Sequence, residues 1–368
     1  MKTIAISSNS GWNIVNFRAG LIRKLIDYGF KVNVIVPNDA YRLRICELGA
    51  EIYSIDLKSS GLSPIRDISS FLAYLKILRD LRPDAYLGFT VKPNIYGSLA
   101  AHLLGIKVIN NISGLGTVFG RNGVLRLFVE GLYRLALRPS ASIFFQNPDD
   151  LALFTERRLV KEGQAKLLPG SGVDLTRFSP PPGDREPGPF RFLMVGRMLW
   201  DKGVGQYVEA ARNLRQRLDR PAFSLLGPAG VDNPGAISGT QLNQWSAEGN
   251  VTYLGESDDV RPHVAKADCV VLPSYYREGI PRTLIEAAAM GKPIITTDEV
   301  GCREAVEHGR TGFLCRSRSV DSLVEAMERI LSLDAAALAE MGAEARRKAE
   351  RQFDERLIAE AYIAALQD

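Results

Sequence analysis

The fold is decided near the N-terminus, where residues 3–37 read TIAISSNSGWNIVNFRAGLIRKLIDYGFKVNVIVP. The hydrophobic pattern predicts a strand, a glycine-containing loop, a helix and a second strand, over Thr3–Ser8, Asn9–Asn13, Ile14–Tyr28 and Val32–Pro37. Gly29 stands where a helix commonly ends in a left-handed residue. The stretch is therefore a βαβ unit, which implies parallel strands covered by helices.

The alternation of strands and helices continues on both sides of a segment rich in Pro and Gly. Ser179–Pro189 reads SPPPGDREPGP, a composition that the interiors of helices and strands do not tolerate. We expect an α/β protein with two Rossmann-like, doubly wound parallel-sheet domains that face a cleft. Residues 1–180 form the first domain, residues 190–350 the second, and residues 351–368 a C-terminal helix placed to pack back on the first.

Size, composition and charge narrow the class of protein. A chain of 368 residues exceeds one ordinary core, and its 46% hydrophobic and 24% charged residues are typical of a folded globular protein. No apolar run approaches the ~20 residues of a membrane span and no signal peptide is evident, so we expect a cytoplasmic protein. The four cysteines lack C-x-x-C spacing and are interpreted as buried thiols.

The two halves differ in charge. Residues 1–180 carry a net charge of +9 and the remainder −5. A basic half suits an anionic membrane surface or an anionic substrate. Because neither an RNA-binding signature nor a zinc-finger spacing is present, no nucleic-acid partner is expected.

Two loops of the second domain carry the residues expected to bind a ligand, since ligands of open α/β sheets lie beyond the carboxyl ends of strands. The first loop runs from Ser274 to Glu286 and leads into a helix opened by Pro281 or Arg282, whose free N–H groups suit a phosphate. Glu286, one turn into that helix, is placed to accept hydrogen bonds from a vicinal diol such as ribose. Glu278 precedes the helix; alone, either acid would be read as a cap or a solvated charge.

The second loop, Gly196 to Gly203, follows the first strand of the second domain. Gly196 permits close approach of the backbone, and Arg197 and Lys202 offer cations to a diphosphate. No D-x-D occurs in the sequence, so these cations are expected to stabilise a diphosphate leaving group without a metal. A third, weaker signal is the N-terminal loop with Ser10, Gly11, Trp12 and Asn13.

Together, G-R-x-x-x-x-K-G at Gly196–Gly203 and E-G-x-P-x-x-x-x-E at Glu278–Glu286 resemble the family-4 glycosyltransferases of GT-B architecture. The resemblance implies that a sugar nucleotide binds the C-terminal domain and that no metal or other cofactor is needed for a retaining transfer. It implies that Glu286 holds ribose, Glu278 contacts the donor sugar, and Arg197 with Lys202 holds the diphosphate. It also implies that the backbone helps to hold the donor at Gly279, Ile280, Pro281, Arg282, Thr283 and Leu284.

N-terminal motifs narrow the resemblance further. Ser10-Gly11-Trp12, Lys92–Gly97 and Asn111–Thr117 resemble bacterial enzymes that add an N-acetylhexosamine, often α-1,3, to undecaprenyl-diphosphate-linked sugars. This implies a UDP-N-acetylhexosamine donor and a polyprenyl-diphosphate-sugar acceptor, in O-antigen, capsule or protein-glycan assembly. Ser10, Gly11, Trp12, Asn13, Ser113 and Gly114 are the candidate acceptor residues. A family histidine near Ser113 is absent here, and His102 is interpreted as a packing residue.

The stretch Arg121–Arg138 forms an apolar helix with interspersed arginines. Leu125, Phe128, Val129, Leu132, Leu135 and Ala136 share one side of it. Two interpretations are open: a helix that docks on the inner face of an anionic membrane near the acceptor site, or an ordinary helix facing the core. For the protein as a whole, the alternatives are a GT-B sugar-nucleotide 2-epimerase and a non-catalytic sugar-binding module.

Overall fold

The computed structural model describes residues 1–57, 64–114, 123–183, 187–217 and 221–368. It divides into two compact units, residues 1–172 with 355–368 and residues 173–354. Each unit contains one parallel sheet covered on both faces by helices. The predicted α/β class with two doubly wound parallel sheets is confirmed.

The N-terminal unit is built on seven strands. They are β1 (Thr3–Ser7), β2 (Lys31–Val36), β3 (Glu51–Ser54), β4 (Ala85–Phe89), β5 (Lys107–Ile112), β6 (Ser142–Phe145) and β7 (Ala165–Leu167). Their order in the sheet is β3-β2-β1-β4-β5-β6-β7. The helices are α1 (Gly11–Phe17), α2 (Ala19–Asp27), α3 (Arg42–Glu47), α4 (Pro64–Leu81), α5 (Ser98–Leu103), α6 (Val124–Leu137) and α7 (Pro148–Glu156), with a π-helical turn, Pro93–Gly97, before α5.

The helix predicted over Ile14–Tyr28 is two helices, because the chain breaks at Arg18. α1 begins earlier than expected, at Gly11, where the Ser10 hydroxyl caps it by accepting the Asn13 N–H at 3.2 Å. The buried Arg18 guanidinium lies 4.0 Å from the Phe89 ring centroid and donates to Asn111 Oδ1 at 3.4 Å. Burial of this side chain redirects the helix in a way that the apolar spacing does not reveal.

The C-terminal unit is built on six strands. They are β8 (Arg191–Val195), β9 (Ala222–Leu226), β10 (Thr252–Tyr253), β11 (Cys269–Leu272), β12 (Ile294–Thr297) and β13 (Gly312–Cys315). Their order is β10-β9-β8-β11-β12-β13. The helices are α8 (Val204–Arg217), α9 (Gly239–Ala247), α10 (Arg261–Lys266), α11 (Arg282–Ala289), α12 (Val320–Leu331) and α13 (Ala335–Lys348), with short 3₁₀ turns at Trp200–Lys202 and Arg303–Ala305.

The chain leaves the N-terminal unit at residue 172, earlier than the predicted boundary at 180–190. Packing explains the shift, since Val173 and Phe178 are buried in the C-terminal core. Arg346 holds the same segment by donating to the carbonyl oxygens of Leu175 and Phe178.

The last helix, α14 (Glu355–Gln367), belongs to the N-terminal unit. Ile358, Tyr362 and Ile363 are buried among the same apolar side chains as Ile4 and Ile22. The preceding π-helical turn, Ala349–Phe353, stays with the C-terminal unit, so the chain returns at residue 355 rather than 351.

Candidate donor site in the C-terminal unit

The strand order of the C-terminal sheet reverses between β8 and β11. At such a point the loops that follow the two strands run in opposite directions and leave a crevice, which is where ligands of doubly wound sheets bind. The loops at this crevice are those singled out from the sequence, Gly196–Gly203 after β8 and Pro273–Pro281 after β11.

Gly203 brings these two loops together. It has φ +81°, and a Cβ atom at this position would overlap the carbonyl group of Pro273. The Asp201 carbonyl oxygen, two residues earlier, accepts the Tyr275 N–H at 2.9 Å. A glycine is therefore required here for the second loop to lie directly against the first.

Lys202 and Glu278 meet across the crevice. The Lys202 Nζ atom lies 2.5 Å from Glu278 Oε2, and both side chains are largely buried, at 13% and 15% exposure. The Ser274 hydroxyl donates to the other carboxylate oxygen, Oε1, at 2.8 Å. Both oxygens of Glu278 are thus held, so the carboxylate has a fixed orientation before any ligand arrives.

Asp201 adds a second carboxylate to the cluster. Its Oδ1 atom is buried and has no hydrogen-bond partner among the described residues. Burial raises the pKa of Asp201 and the nearby Glu278 charge adds to the rise, while the charges of Lys202 and Arg197 oppose it. Arg197 itself is exposed, so its guanidinium is available to a ligand at the rim.

Glu286 lies on α11, below the N-terminus of that helix. Pro281 is the N-cap residue of the helix and makes no side-chain cap hydrogen bond, and the N-terminal end of a helix suits an anion. Arg282 Nε donates to Glu286 Oε1 at 2.7 Å. Burial raises the pKa of Glu286, and the positive charge of Arg282 partly offsets that rise.

The remaining predicted donor residues contribute differently. The side chains of Ile280 and Leu284 are buried in the core, so only their backbone groups can reach a ligand. Cys302 is buried close to Glu278; burial first, and the Glu278 charge second, raise the pKa of its thiol to about 12. The thiol is therefore neutral. The prediction of buried thiols is confirmed for Cys269, Cys302 and Cys315, whereas Cys46 is exposed.

In the N-terminal unit the candidate acceptor residues form two groups. Ser10 and Asn13 are tied together by the helix cap, and Gly11 N–H donates to Asp39 Oδ2 at 2.6 Å. Trp12 is 46% exposed and makes an edge contact with Phe17.

Ser113 and Gly114 follow β5, which is separated from β1 by β4. Two strand spacings amount to roughly 10 Å between β1 and β5. Residues 115–117 of the same motif lie outside the described residues. His102 Nε2 lies 2.9 Å from the Ala136 carbonyl oxygen, and burial lowers the pKa of His102. Both observations fit the interpretation of His102 as a packing residue.

Helix α6 presents two apolar faces rather than one. Val129, Tyr133, Ala136 and Leu137 are buried in the core, whereas Leu127, Phe128 and Leu135 are 57–63% exposed. The sequence analysis placed Phe128 and Leu135 on the same side of the helix as Val129 and Ala136. In the structure, Phe128 and Leu135 lie instead on the exposed side together with Leu127. Arg121 and the side chain of Leu125 lie outside the described residues. Within the described ranges no helix is long and apolar enough to cross a membrane.

Sequence reasoning missed two members of the donor site. Ser274 stood within the quoted loop but received no role, and Asp201 stood beside Lys202 unremarked. The signal for Ser274 was its spacing, four residues before Glu278 at the end of a strand. For Asp201 no signal existed, because its burial depends on the loop opposite.

Two family models match the chain. Residues 3–147 match the model described as glycosyl transferase 4-like, and residues 189–333 match that of the glycosyl transferases group 1. Together they span most of both units.

Among curated proteins, the chain is 29% identical to a Campylobacter jejuni N,N'-diacetylbacillosaminyl-diphospho-undecaprenol alpha-1,3-N-acetylgalactosaminyltransferase, over 98% of this chain and 97% of that one. It is 24% identical to an Escherichia coli UDP-Gal:alpha-D-GlcNAc-diphosphoundecaprenol alpha-1,3-galactosyltransferase, over 82% and 80% of the two chains.

Two solved structures share the fold over their whole length. The Anabaena protein HepE in complex with UDP-glucose superposes with a TM-score of 0.83 at 17% identity, covering all of both chains. Sucrose-phosphate synthase of Thermosynechococcus elongatus gives 0.80 at 18% identity, covering 100% of this chain and 98% of that one. The two matched domains, the two parallel sheets and the E-x7-E loop all indicate the same family. The chain belongs to the family-4 glycosyltransferases of the GT-B fold.

Proposed function

We propose that this protein transfers an N-acetylhexosamine, GalNAc or GlcNAc, from a UDP-sugar to an undecaprenyl-diphosphate-linked sugar, with retention of configuration and without a metal. The observation that carries the proposal is the Lys202, Glu278 and Ser274 cluster at the β8/β11 crevice. The full-length similarity to the Campylobacter jejuni transferase supports the acceptor class and the donor sugar.

The charges of the crevice fit a nucleoside diphosphate leaving group. Lys202 and Arg197 supply cations from the loop after β8, and α11 supplies the positive end of its helix dipole. As the bond between the sugar and the diphosphate breaks, negative charge grows on the diphosphate, and fixed cations stabilise that state more than the ground state. Glu286, buried on the same helix, would accept the ribose hydroxyls as a carboxylate.

Retention is supported by the position of Glu278. An inverting transferase needs a base on the face of the sugar opposite the leaving group. Glu278 is bound instead to the ammonium group that would hold the diphosphate, so its carboxylate lies on the leaving-group side. From there it orients the donor sugar, while the acceptor hydroxyl approaches the same face as the departing diphosphate.

The exposed apolar side of α6 supports a membrane contact. Leu127, Phe128 and Leu135 lie on it beside the exposed Arg138, in the half of the chain that carries the net positive charge. An acceptor with a polyprenyl tail stays in the bilayer, so the N-terminal unit would meet an anionic lipid surface.

The membrane contact is tested by vesicle flotation of the triple variant Leu127→Ser/Phe128→Ser/Leu135→Ser. A matched control is Tyr28→Ser/Leu43→Ser/Leu357→Ser, whose exposed side chains lie on elements that pack on the opposite face of the same sheet. We expect the α6 variant to lose flotation with anionic vesicles and the control to keep it. Equal flotation of both would remove α6 as the docking surface.

The transfer itself is tested by a donor screen. Purified protein is mixed with a synthetic polyprenyl-diphosphate sugar and one UDP-sugar at a time, with EDTA present, and UDP release is followed. We expect release only when a UDP-N-acetylhexosamine and the lipid acceptor are both present, and an α-linked product by NMR. A β-linked product would refute retention, loss of activity in EDTA would refute metal independence, and an epimerised UDP-sugar without acceptor would indicate the epimerase.

A further inference from the structure

The segment that follows β12, Asp298 to Glu304, lies against the backbone of Glu278. The Glu278 N–H donates to the Val300 carbonyl oxygen at 3.3 Å. Gly301, at φ +90°, comes so close that a Cβ atom there would overlap the carbonyl oxygens of both Glu278 and Gly279. The peptide that carries Glu278 therefore rests on the bare α-carbon of Gly301.

Gly301 is itself held in place. Its N–H donates to Glu304 Oε2 at 2.6 Å, a charge-assisted bond within the same turn. The N–H groups of Cys302 and Arg303 donate to the Glu299 carbonyl oxygen at 3.1 and 3.0 Å, and Cys302 is fully buried. The segment is thus a turn held by hydrogen bonds of its own in addition to its contact with the Glu278 loop.

The end of β12 also supports the other residue that holds the Glu278 carboxylate. The Thr297 hydroxyl, which is buried, donates to the carbonyl oxygen of Ser274. The Ser274 hydroxyl in turn donates to Glu278 Oε1. Thr297 and Gly301 therefore support the Glu278 loop at two places, one on each side of the carboxylate.

We propose that Gly301 and Glu304 are positioning residues for sugar transfer, which fix the Glu278 carboxylate in the orientation that the reaction requires. The inference rests on the proposed function, since it gives Glu278 its role at the donor sugar. Neither residue touches substrate in this account. Their effect is on the rate of the chemical step, because a displacement of a reacting group by about 1 Å can cost on the order of 10²-fold in rate.

The test is Gly301→Ala, with Gly249→Ala as a matched control. Gly249 has a similar φ of +78°, but a Cβ atom there meets nothing within 4 Å. Both variants introduce the same backbone strain, and only Gly301→Ala pushes on Glu278. We expect kcat of folded Gly301→Ala to fall about 10²-fold with Kd for UDP unchanged, and we expect the variant to lose more unfolding free energy than the control because its Cβ atom overlaps two carbonyl oxygens. A wild-type kcat in folded Gly301→Ala, or an equal fall of kcat in Gly249→Ala, would overturn the proposal.

Two further measurements keep the proposal testable. If Gly301→Ala fails to fold, Glu304→Ala removes the acceptor of the Gly301 N–H together with the contact of Glu304 Oε1 with Arg303 Nε, and we expect kcat to fall while Kd for UDP stays constant. A crystal structure of the folded variant should show the Glu278 carboxylate moved away from the Ser274 hydroxyl. An unmoved carboxylate would overturn the inference even if the wild-type protein transferred no sugar, an outcome that would refute the proposed function separately.

Discussion

The two sheets are built alike, yet the loops that meet at their crevices are joined by different kinds of bond. In the C-terminal unit, the strand order reverses between β8 and β11, and the loops are joined by the buried ion pair of Lys202 and Glu278. In the N-terminal unit, it reverses between β1 and β4, and the loops are joined by a neutral bond, from Asn9 N–H to Thr90 Oγ1 at 3.2 Å.

Backbone strain contributes to the shape of the N-terminal crevice. Thr90 has φ +69°, an unusual value for a β-branched residue, which costs about 1–3 kcal/mol where the surroundings enforce it. Strain of this kind persists where a precise backbone shape is needed. Under the proposed function, the C-terminal crevice would hold the diphosphate of the donor at fixed cations, and the N-terminal crevice would meet the acceptor.

The largest effect expected from breaking the charged crevice is that of Glu278→Gln. The variant keeps the shape but loses the charge held by Lys202 and Ser274, so kcat should fall on the order of 10²- to 10³-fold, the scale of removing one preorganised electrostatic group. Kd for UDP, measured by calorimetry, should change little. Glu325→Gln, on the exposed side of α12, is the matched control and should leave kcat unchanged.

Lys202→Met should act on the diphosphate. Loss of one charge-assisted hydrogen bond corresponds to roughly 10- to 100-fold weaker UDP binding, measured by calorimetry at constant ionic strength. Lys266→Met removes an exposed lysine of α10 and should bind UDP as the wild type does. Equal binding by both variants would mean that the diphosphate is held elsewhere.

Glu286→Gln should show a pH-dependent effect of opposite sign on binding and on stability. Because the folded-state pKa of Glu286 is raised above its ordinary value of 4.5, the folded protein holds this proton more tightly than the unfolded chain does. The stability that the group contributes is therefore present below about 4.5 and is lost as pH rises through the folded-state pKa.

Relative to Glu286→Gln, the wild type should thus become less stable in urea unfolding as pH rises through that window. We expect the wild type to bind UDP roughly 10-fold more tightly than Glu286→Gln, the scale of a hydrogen bond to a charged group. This difference in affinity should grow over the same pH window because only the carboxylate is a strong acceptor for ribose. A stability difference independent of pH would contradict the buried, raised-pKa environment of Glu286.

The smallest effect is expected in the N-terminal crevice. Trp12→Ala removes a half-exposed ring next to the Ser10 cap, and an aromatic contact of ~1 kcal/mol corresponds to a several-fold rise in KM for the lipid acceptor. Kd for UDP should stay at the wild-type value. A change in UDP affinity equal to that in acceptor KM would erase the distinction between the two units.

The donor loops could be predicted from sequence because local patterns determine them. Each follows an apolar strand, and a glycine or proline at fixed spacing marks where the backbone turns toward a ligand. The pairing of Lys202 with Glu278 follows from the strand order, which places both loops at one crevice. The role of Gly301 could not be predicted, because it depends on the approach of two loops more than twenty residues apart in sequence.

The other differences between the sequence predictions and the structure have one physical cause: burial in the tertiary structure overrides the local sequence pattern. The break at Arg18 arises from a buried guanidinium on Phe89, and the boundary at residue 172 from the burial of Val173 and Phe178. On α6, a nearly continuous apolar sequence left the buried side undetermined until the core was known.

Hydrogen exchange upon addition of UDP tests most directly whether the charged crevice is the nucleotide site. Peptides covering residues 196–203 and 274–286 should exchange more slowly with UDP present, whereas those covering 8–13 and 90–97 should exchange as before. Slower exchange confined to residues 8–13 and 90–97, with 196–203 and 274–286 unaffected, would place the nucleotide in the N-terminal unit and contradict the account.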